Sequence, residues 1–285
     1  MNKFTGLVLA VWLCTAALAQ QNPARLIVRG DDMGCTHAEN EAIIKCHTDG
    51  IETSAEVLAV SPWFPEAVKL LKQHPDLDVG VHLAITSEWD NLRWRPLTGC
   101  RSLTDANGFF FPRVQADQNY LGLAIAENQW DIHEIEQELR AQIELVQRNI
   151  PHVSHLTLHM NFAKISTSVK LLVKNLAKEY LIAIDPDDYQ VAAVGYDGPS
   201  MTSEEKISSF LKMLQHLEPG KTYLFVDHPG FDNDEMQAVY HIGYEKVAAD
   251  RQGVTNLFTN QKVKEYIREK GIVLTGYKDL PEIKK

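Results

Sequence analysis

Cysteine is scarce in this 285-residue chain, with four in all and none at CxxC spacing. Thiolate-held zinc has no support from such spacings, and a disulfide framework is not indicated. No apolar run reaches the ~18 residues that a membrane-crossing helix needs, so no membrane span is expected. Internal repeats and low-complexity tracts are also lacking, which sets aside solenoids and disorder. Positive charge is in deficit: 28 Lys and Arg stand against 38 Asp and Glu, a net charge of −10. An acidic surface is not drawn to nucleic acid or anionic lipid, so no nucleic-acid partner is expected.

The N-terminal "MNKFTGLVLAVWLCTAALAQQ" begins with basic Lys3, continues through an apolar run from about Leu7 to Leu18, and ends at Ala17-Leu18-Ala19. Those features read as a secretory signal peptide over residues 1–19, which implies a secreted or periplasmic protein. A lipoprotein site at Cys14 fits poorly because bulky Leu13 precedes it. Cleavage removes Lys3 and no acid, taking the formal charge to −11, and leaves Cys35, Cys46 and Cys100, of which one pair could still form in an oxidising compartment.

Strand-like apolar segments alternate with stretches of helical period, which implies parallel strands joined by crossover helices. Strands are expected at Leu26–Arg29, Ser54–Val60, Leu77–His82, Val153–His159, Tyr180–Ile184, Thr222–Val226 and Gly271–Thr275. Helices are expected at Ala38–Thr48, Phe64–Gln73, Ser166–Tyr180, Glu204–Leu217 and Asn260–Lys270, and most clearly after Asp131, where Ile132, Ile135, Leu139, Ile143, Val146 and Ile150 recur at three- and four-residue steps. Asp131 followed by Glu134 reads as a capping box. Pro96–Asp117 reads as a long loop, and no linker divides residues 20–285, so a single α/β domain is expected.

Four polar clusters fall where expected strands give out: Asp31 with Asp32, His82, His155 with His159, and "DHPG" from Asp227 to Gly230. In parallel α/β folds the carboxyl ends of strands share one face, so these groups can converge. Each alone has an ordinary explanation: a double acid can cap a helix, and a strand-end histidine can be a hydrogen-bonded rim residue. Together, a carboxylate and two imidazoles suffice to hold a divalent ion with open positions, and the ion would supply the positive charge that adjacent acids need. A fifth cluster, "SEWDNLRWRP", sets Trp89 and Trp94 around Arg93 and Arg95, suited either to stacking on sugar faces or to pinning a loop.

These residues resemble the YdjC-like carbohydrate deacetylases, the family of the chitooligosaccharide and hopanoid-linked deacetylases. "RGDDMG" is similar to that family's "NADDFG", "GVHLAIT" to "GLHLNLT", "SHLTLHM" to "THLDSHxH", and "VDHPG" to "MCHPG", in the same order along nearly the whole mature chain. The resemblance implies a distorted (β/α) barrel of the glycoside hydrolase/deacetylase type, TIM-barrel-like, that removes acetyl groups from N-acetylated sugars with a divalent metal, magnesium or zinc. By motif position, Asp32, His82 and His159 would be metal ligands, Asp31 the general base, and His228 an acid that protonates the leaving amine or a group that steadies the oxyanion. Trp89, Arg93, Trp94 and His155 are expected to touch the carbohydrate. The chain departs from the pattern at Arg29-Gly30, where Asn-Ala is usual, and at Thr157, where an Asp that orients a ligand histidine is usual. A non-catalytic carbohydrate-binding barrel and a metal-dependent esterase or phosphoesterase stay open as alternatives, as does a homodimer.

Overall fold

The structure is a computed structural model that describes residues 22–184 and 190–280; the expected signal peptide lies outside them. Among the described residues, eight strands, β1 (Arg25–Met33), β2 (Ser54–Val57), β3 (Asp78–Leu83), β4 (Val153–Leu158), β5 (Ala183–Ile184), β6 (Val191–Val194), β7 (Thr222–Asp227) and β8 (Val273–Leu274), form one sheet. Its order is β5-β4-β3-β2-β1-β7-β6, with β8 also against β1, and every pairing is parallel. The sheet curls into a half-barrel with helices packed against it. That agrees with the expected barrel in its distorted form.

Strands covered on both faces can be apolar throughout, and β3 is buried at all six positions. Val79, Val81 and Leu83 belong to the same core as Ile135, Leu139, Ile143 and Val146 of the helix over Ile132–Asn149. A second cluster joins Leu26, Val28 and Phe225 to Val254, Leu257 and Phe258 of a helix over Val247–Phe258 that the sequence reading does not anticipate. Its buried face carries Arg251, Gly253 and Thr255, which interrupt the apolar period. β6, "VAAV", is likewise unanticipated, with Ala192 and Ala193 exposed.

Asp131 does cap the helix over Ile132–Asn149, accepting from the His133 N–H, but Glu134 does not close a capping box. Its carboxylate instead accepts the Ser102 N–H from the preceding loop, at 2.7 Å. Cys35, Cys46 and Cys100 are buried free thiols, so no disulfide forms among the described residues. No described helix is long and apolar enough to cross a membrane.

Glu52, just before β2, is buried with neither carboxylate oxygen hydrogen-bonded among the described residues, and its side chain fills the space a Cβ on Gly30 would need. Burial first, and then the Asp31 charge, raise its pKa well above 4.5. A carboxyl whose folded pKa is raised costs nothing below the unfolded value and destabilises increasingly as pH climbs above it. Glu52→Gln, which cannot ionise, is expected to gain stability relative to the native chain more at pH 8 than at pH 5 in urea unfolding. An equal difference at the two pH values would refute this origin.

Candidate metal centre

Adjacent residues in a regular strand point to opposite faces, so two consecutive aspartates should not share a site. In β1 they do. The register against β2 shifts between Gly30 and Met33, and Asp32 has φ of +70°, a left-handed conformation uncommon outside glycine. The irregularity turns both carboxylates toward His82 at the end of β3, with Asp32 Oδ1 3.5 Å and Asp31 Oδ2 4.0 Å from its Nε2. His159 follows β4 directly and places Nδ1 3.3 Å from the same Asp32 oxygen. Met160 and Asn161 after it also have positive φ, at 50° and 49°. Backbone strain thus concentrates where these side chains meet.

Asp32 Oδ1 is buried and meets no hydrogen-bond geometry. With His82 and His159 it forms a set of three ligand atoms all within 4.8 Å of one another. Donors held at ~2.0–2.2 Å in a tetrahedral array stand roughly 3.3–3.6 Å apart, close to the separations found. The other carboxylate oxygen, Oδ2, accepts from Arg251 at 3.0 Å, and Arg251 also pairs with Glu39.

Each imidazole is oriented from behind. His159 Nε2 lies 2.9 Å from Glu88 Oε2 and donates to it, which leaves Nδ1 to face Asp32. His82 Nδ1 lies 2.7 Å from Thr157 Oγ1, and that hydroxyl donates to Glu56 Oε2 at 2.6 Å. A hydroxyl has one proton, so His82 Nδ1 must be the donor and Nε2 carries the lone pair. Burial, and then the neighbouring His159, lower the His82 pKa to about 3, which keeps it neutral. Burial opposes the charge on Asp32, but His159, His228 and Arg251 outweigh it and hold the acid well below its usual range. Burial likewise opposes a proton on His159, yet Glu88 and Asp32 raise it well above the usual imidazole value. That proton sits where positive charge is most favoured. The donor set, its spacing and the unsatisfied oxygen fit a divalent cation.

Asp31 is held by Arg29, whose Nε and second guanidinium nitrogen reach its two oxygens at 2.8 and 3.2 Å. His228, just past β7, places Nε2 3.7 Å from Asp32 Oδ2 and keeps 39% of its side chain exposed. Burial pulls its pKa down, but Asp227 beside it and the charges of Asp32 and Asp31 push it up to about 9.

A family model described as YdjC-like protein matches residues 25–269. The chain belongs to this family. It is 24% identical over 269 residues to carbohydrate deacetylase 1 of Listeria innocua serovar 6a, covering 90% of this chain and all of the relative. A carbohydrate deacetylase of Enterococcus faecalis is 28% identical over 275 residues, covering 90% of this chain and 98% of that protein. Among solved structures, an Enterococcus faecalis V583 protein assigned provisionally to cellobiose-phosphate cleavage superposes with a TM-score of 0.71 at 24% identity. It covers 90% of this chain and 98% of its own, and it shows the shared fold.

The structure of this family member therefore brings together five of the nine expected site residues, Asp31, Asp32, His82, His159 and His228. Of the other four, Trp89, Trp94 and His155 lie buried in the packing. Trp89 is 2% exposed, stacked on His241 with Arg251 over its ring, and Trp94 is 3% exposed with its indole N–H donated to the Thr86 carbonyl. Neither ring presents an open face to a sugar. Instead Trp94 meets His159 edge-on and Trp89 backs Arg251, so the loop braces the centre. Arg93, partly exposed, donates to the Phe110 carbonyl and pairs with Asp105. His155 does share the inward face of β4 with Thr157 and His159, but it lies one step deeper, fully buried between Glu56 and the Tyr277 ring. Glu56, Glu88 and Arg251 went unrecognised in the sequence. Of the three, only Glu88 carried a local signal, its place just past the His82 strand.

Proposed function

We propose that this chain is a metal-dependent deacetylase that hydrolyses the acetamide of an N-acetylated sugar or oligosaccharide. The observation that carries the reading is Asp32 Oδ1, buried, without a hydrogen bond, and faced by imidazole nitrogens of His82 and His159 at 3.5 and 3.3 Å. Relatives named carbohydrate deacetylases along their whole length support the substrate class.

Asp32, His82 and His159 would hold the ion, magnesium or zinc. When bound it supplies Lewis acidity, acidifying water and polarising a carbonyl oxygen. Asp31 takes the proton from the attacking water as its oxygen bonds to the acetyl carbon. Arg29 fixes the Asp31 carboxylate and does not exhaust it, because each oxygen retains a second lone pair. His228, protonated at neutral pH, delivers a proton to the nitrogen as the C–N bond breaks, releasing acetate and the free amino sugar. In this reading the protein is exported, the signal peptide at 1–19 being removed.

Asp31→Asn is expected to lower kcat for acetate release by about 10²–10⁴-fold while metal content, measured by atomic emission, stays at the native level. Retention of full turnover would remove Asp31 from the mechanism. If acetate or phosphate esters turned over and acetamido sugars did not, the esterase or phosphoesterase alternative would replace this reading.

A further inference from the structure

Glu56 lies on β2, inside a strand whose four residues are all buried, and it is 0% exposed. A charge in such a place needs several partners. One oxygen accepts from His155 Nε2 at 2.6 Å, with Arg29 Nε 3.9 Å away, and the other accepts from the Thr157 hydroxyl at 2.6 Å. On the far side of His155, Nδ1 lies 2.7 Å from Ser154 Oγ, whose own proton goes to Asp78 at 2.6 Å. Both ring nitrogens of His155 are therefore donors, and the ring is a cation balancing Glu56. Gly80 on the intervening strand leaves the room: a Cβ there would collide with Glu56 and His155. The connected groups run Asp78, Ser154, His155, Glu56, Thr157, His82, with each proton direction set by the carboxylate at its end.

We propose that Glu56 is a positioning residue for the metal centre, acting through the Thr157 hydroxyl to fix His82 as the Nδ1–H tautomer with its Nε2 lone pair aimed at the Asp32 oxygen. Thr157 has no charge of its own. It passes on the preference of the carboxylate behind it, and without that carboxylate its proton could point at His82 Nδ1 and place the ring hydrogen on Nε2, closing the ligand. Carboxylates that orient ligand imidazoles typically change metal affinity 10–100-fold when lost. The inference rests on the metal-centre reading for its consequence, whereas the tautomer itself does not depend on bound metal.

Two readouts test it on the full chain. The first is the His82 tautomer in metal-free protein, from long-range proton–nitrogen correlation spectra. The Nδ1–H form is expected in the native chain, with loss of that single form in Thr157→Val, which keeps the side-chain volume and removes the hydroxyl. The second is zinc affinity by competition with a chromogenic chelator. Thr157→Val and Glu56→Gln should each weaken zinc about 10–100-fold, and the double variant should be no weaker than the worse single one, because both cut the same connection. Glu56→Gln/Thr157→Asp, which sets a carboxylate directly on His82 Nδ1, should recover most of the loss. A purely structural Glu56 would show no such rescue. Native zinc affinity in Thr157→Val, effects that multiply, or an Nε2–H tautomer in the native chain would each overturn the proposal. A native chain with the Nδ1–H tautomer but no zinc binding would uphold the connection and overturn the metal reading instead.

Discussion

Asp32→Asn is expected to cut acetate release by at least ~10³-fold, since metal polarisation contributes several kcal/mol to such a transition state and each ~1.4 kcal/mol is a factor of ten. The substitution is chosen for the backbone. Asp32 sits at φ +70°, and Asn is among the few residues that adopt this region readily, so the variant should keep the fold. What changes is charge: the amide has one acceptor oxygen, and Arg251 competes for it from 3.0 Å. Zinc content should fall with activity. Activity above a tenth of the native value would show that Asp32 does not hold the ion.

Arg251→Met is expected to be the most damaging single change to stability. The guanidinium is 3% exposed, pairs with Asp32 on one side and Glu39 on the other, and lies 5.2 Å from the Trp89 ring centroid. Methionine fills much of the volume but leaves two buried carboxylates without their cation. Breaking a buried pair in this way costs about 3–5 kcal/mol, which for a domain of this size lowers the melting midpoint on the order of 10 °C. The double variant Arg251→Met/Glu39→Gln should recover part of the loss, because one stranded charge is gone. A midpoint within a couple of degrees of the native value, read by calorimetry, would mean that water or another group screens both acids.

The ends of β3, β4 and β7 were legible in the sequence because parallel buried strands read as short apolar runs that stop at polar residues, whereas β1, expected to end at Arg29, runs on through both acids to Met33. The clusters Asp31–Asp32, His82, His155 with His159, and Asp227–Gly230 follow from the strand-end rule, and the family resemblance singles out Asp32, His82, His159 and His228 among them. Arg251 was not legible because its helix buries Arg, Gly and Thr alongside Val, Leu and Phe, which breaks the period that marks a helix. Glu56 was hidden for a related reason: a single acid within "SAEV" looks like a solvent-facing alternate, and only the packing shows His155 and Thr157 closing on it. Trp89 and Trp94 misled because composition states that a ring is present without stating which way it faces. In the structure the Trp89 ring lies under Arg251 and the Trp94 ring meets His159 edge-on.

The two departures from the family pattern also take on a physical meaning. Arg29 pairs with Asp31 and reaches toward Glu56, so it belongs to the charge balance of these two buried acids. Gly30 accompanies the buried Glu52, whose carboxyl occupies the space of the missing Cβ. Thr157 gives up a charge that Glu56 supplies from β2, across the intervening β3.

Acetate release from N-acetylglucosamine oligosaccharides, followed on one preparation before chelation, after chelation and after return of zinc or magnesium, tests the central claim most directly. The account predicts turnover that falls to background on chelation and returns with the metal. Turnover that survives complete removal of metal, or no acetate from any acetamido sugar with the metal bound, would contradict it.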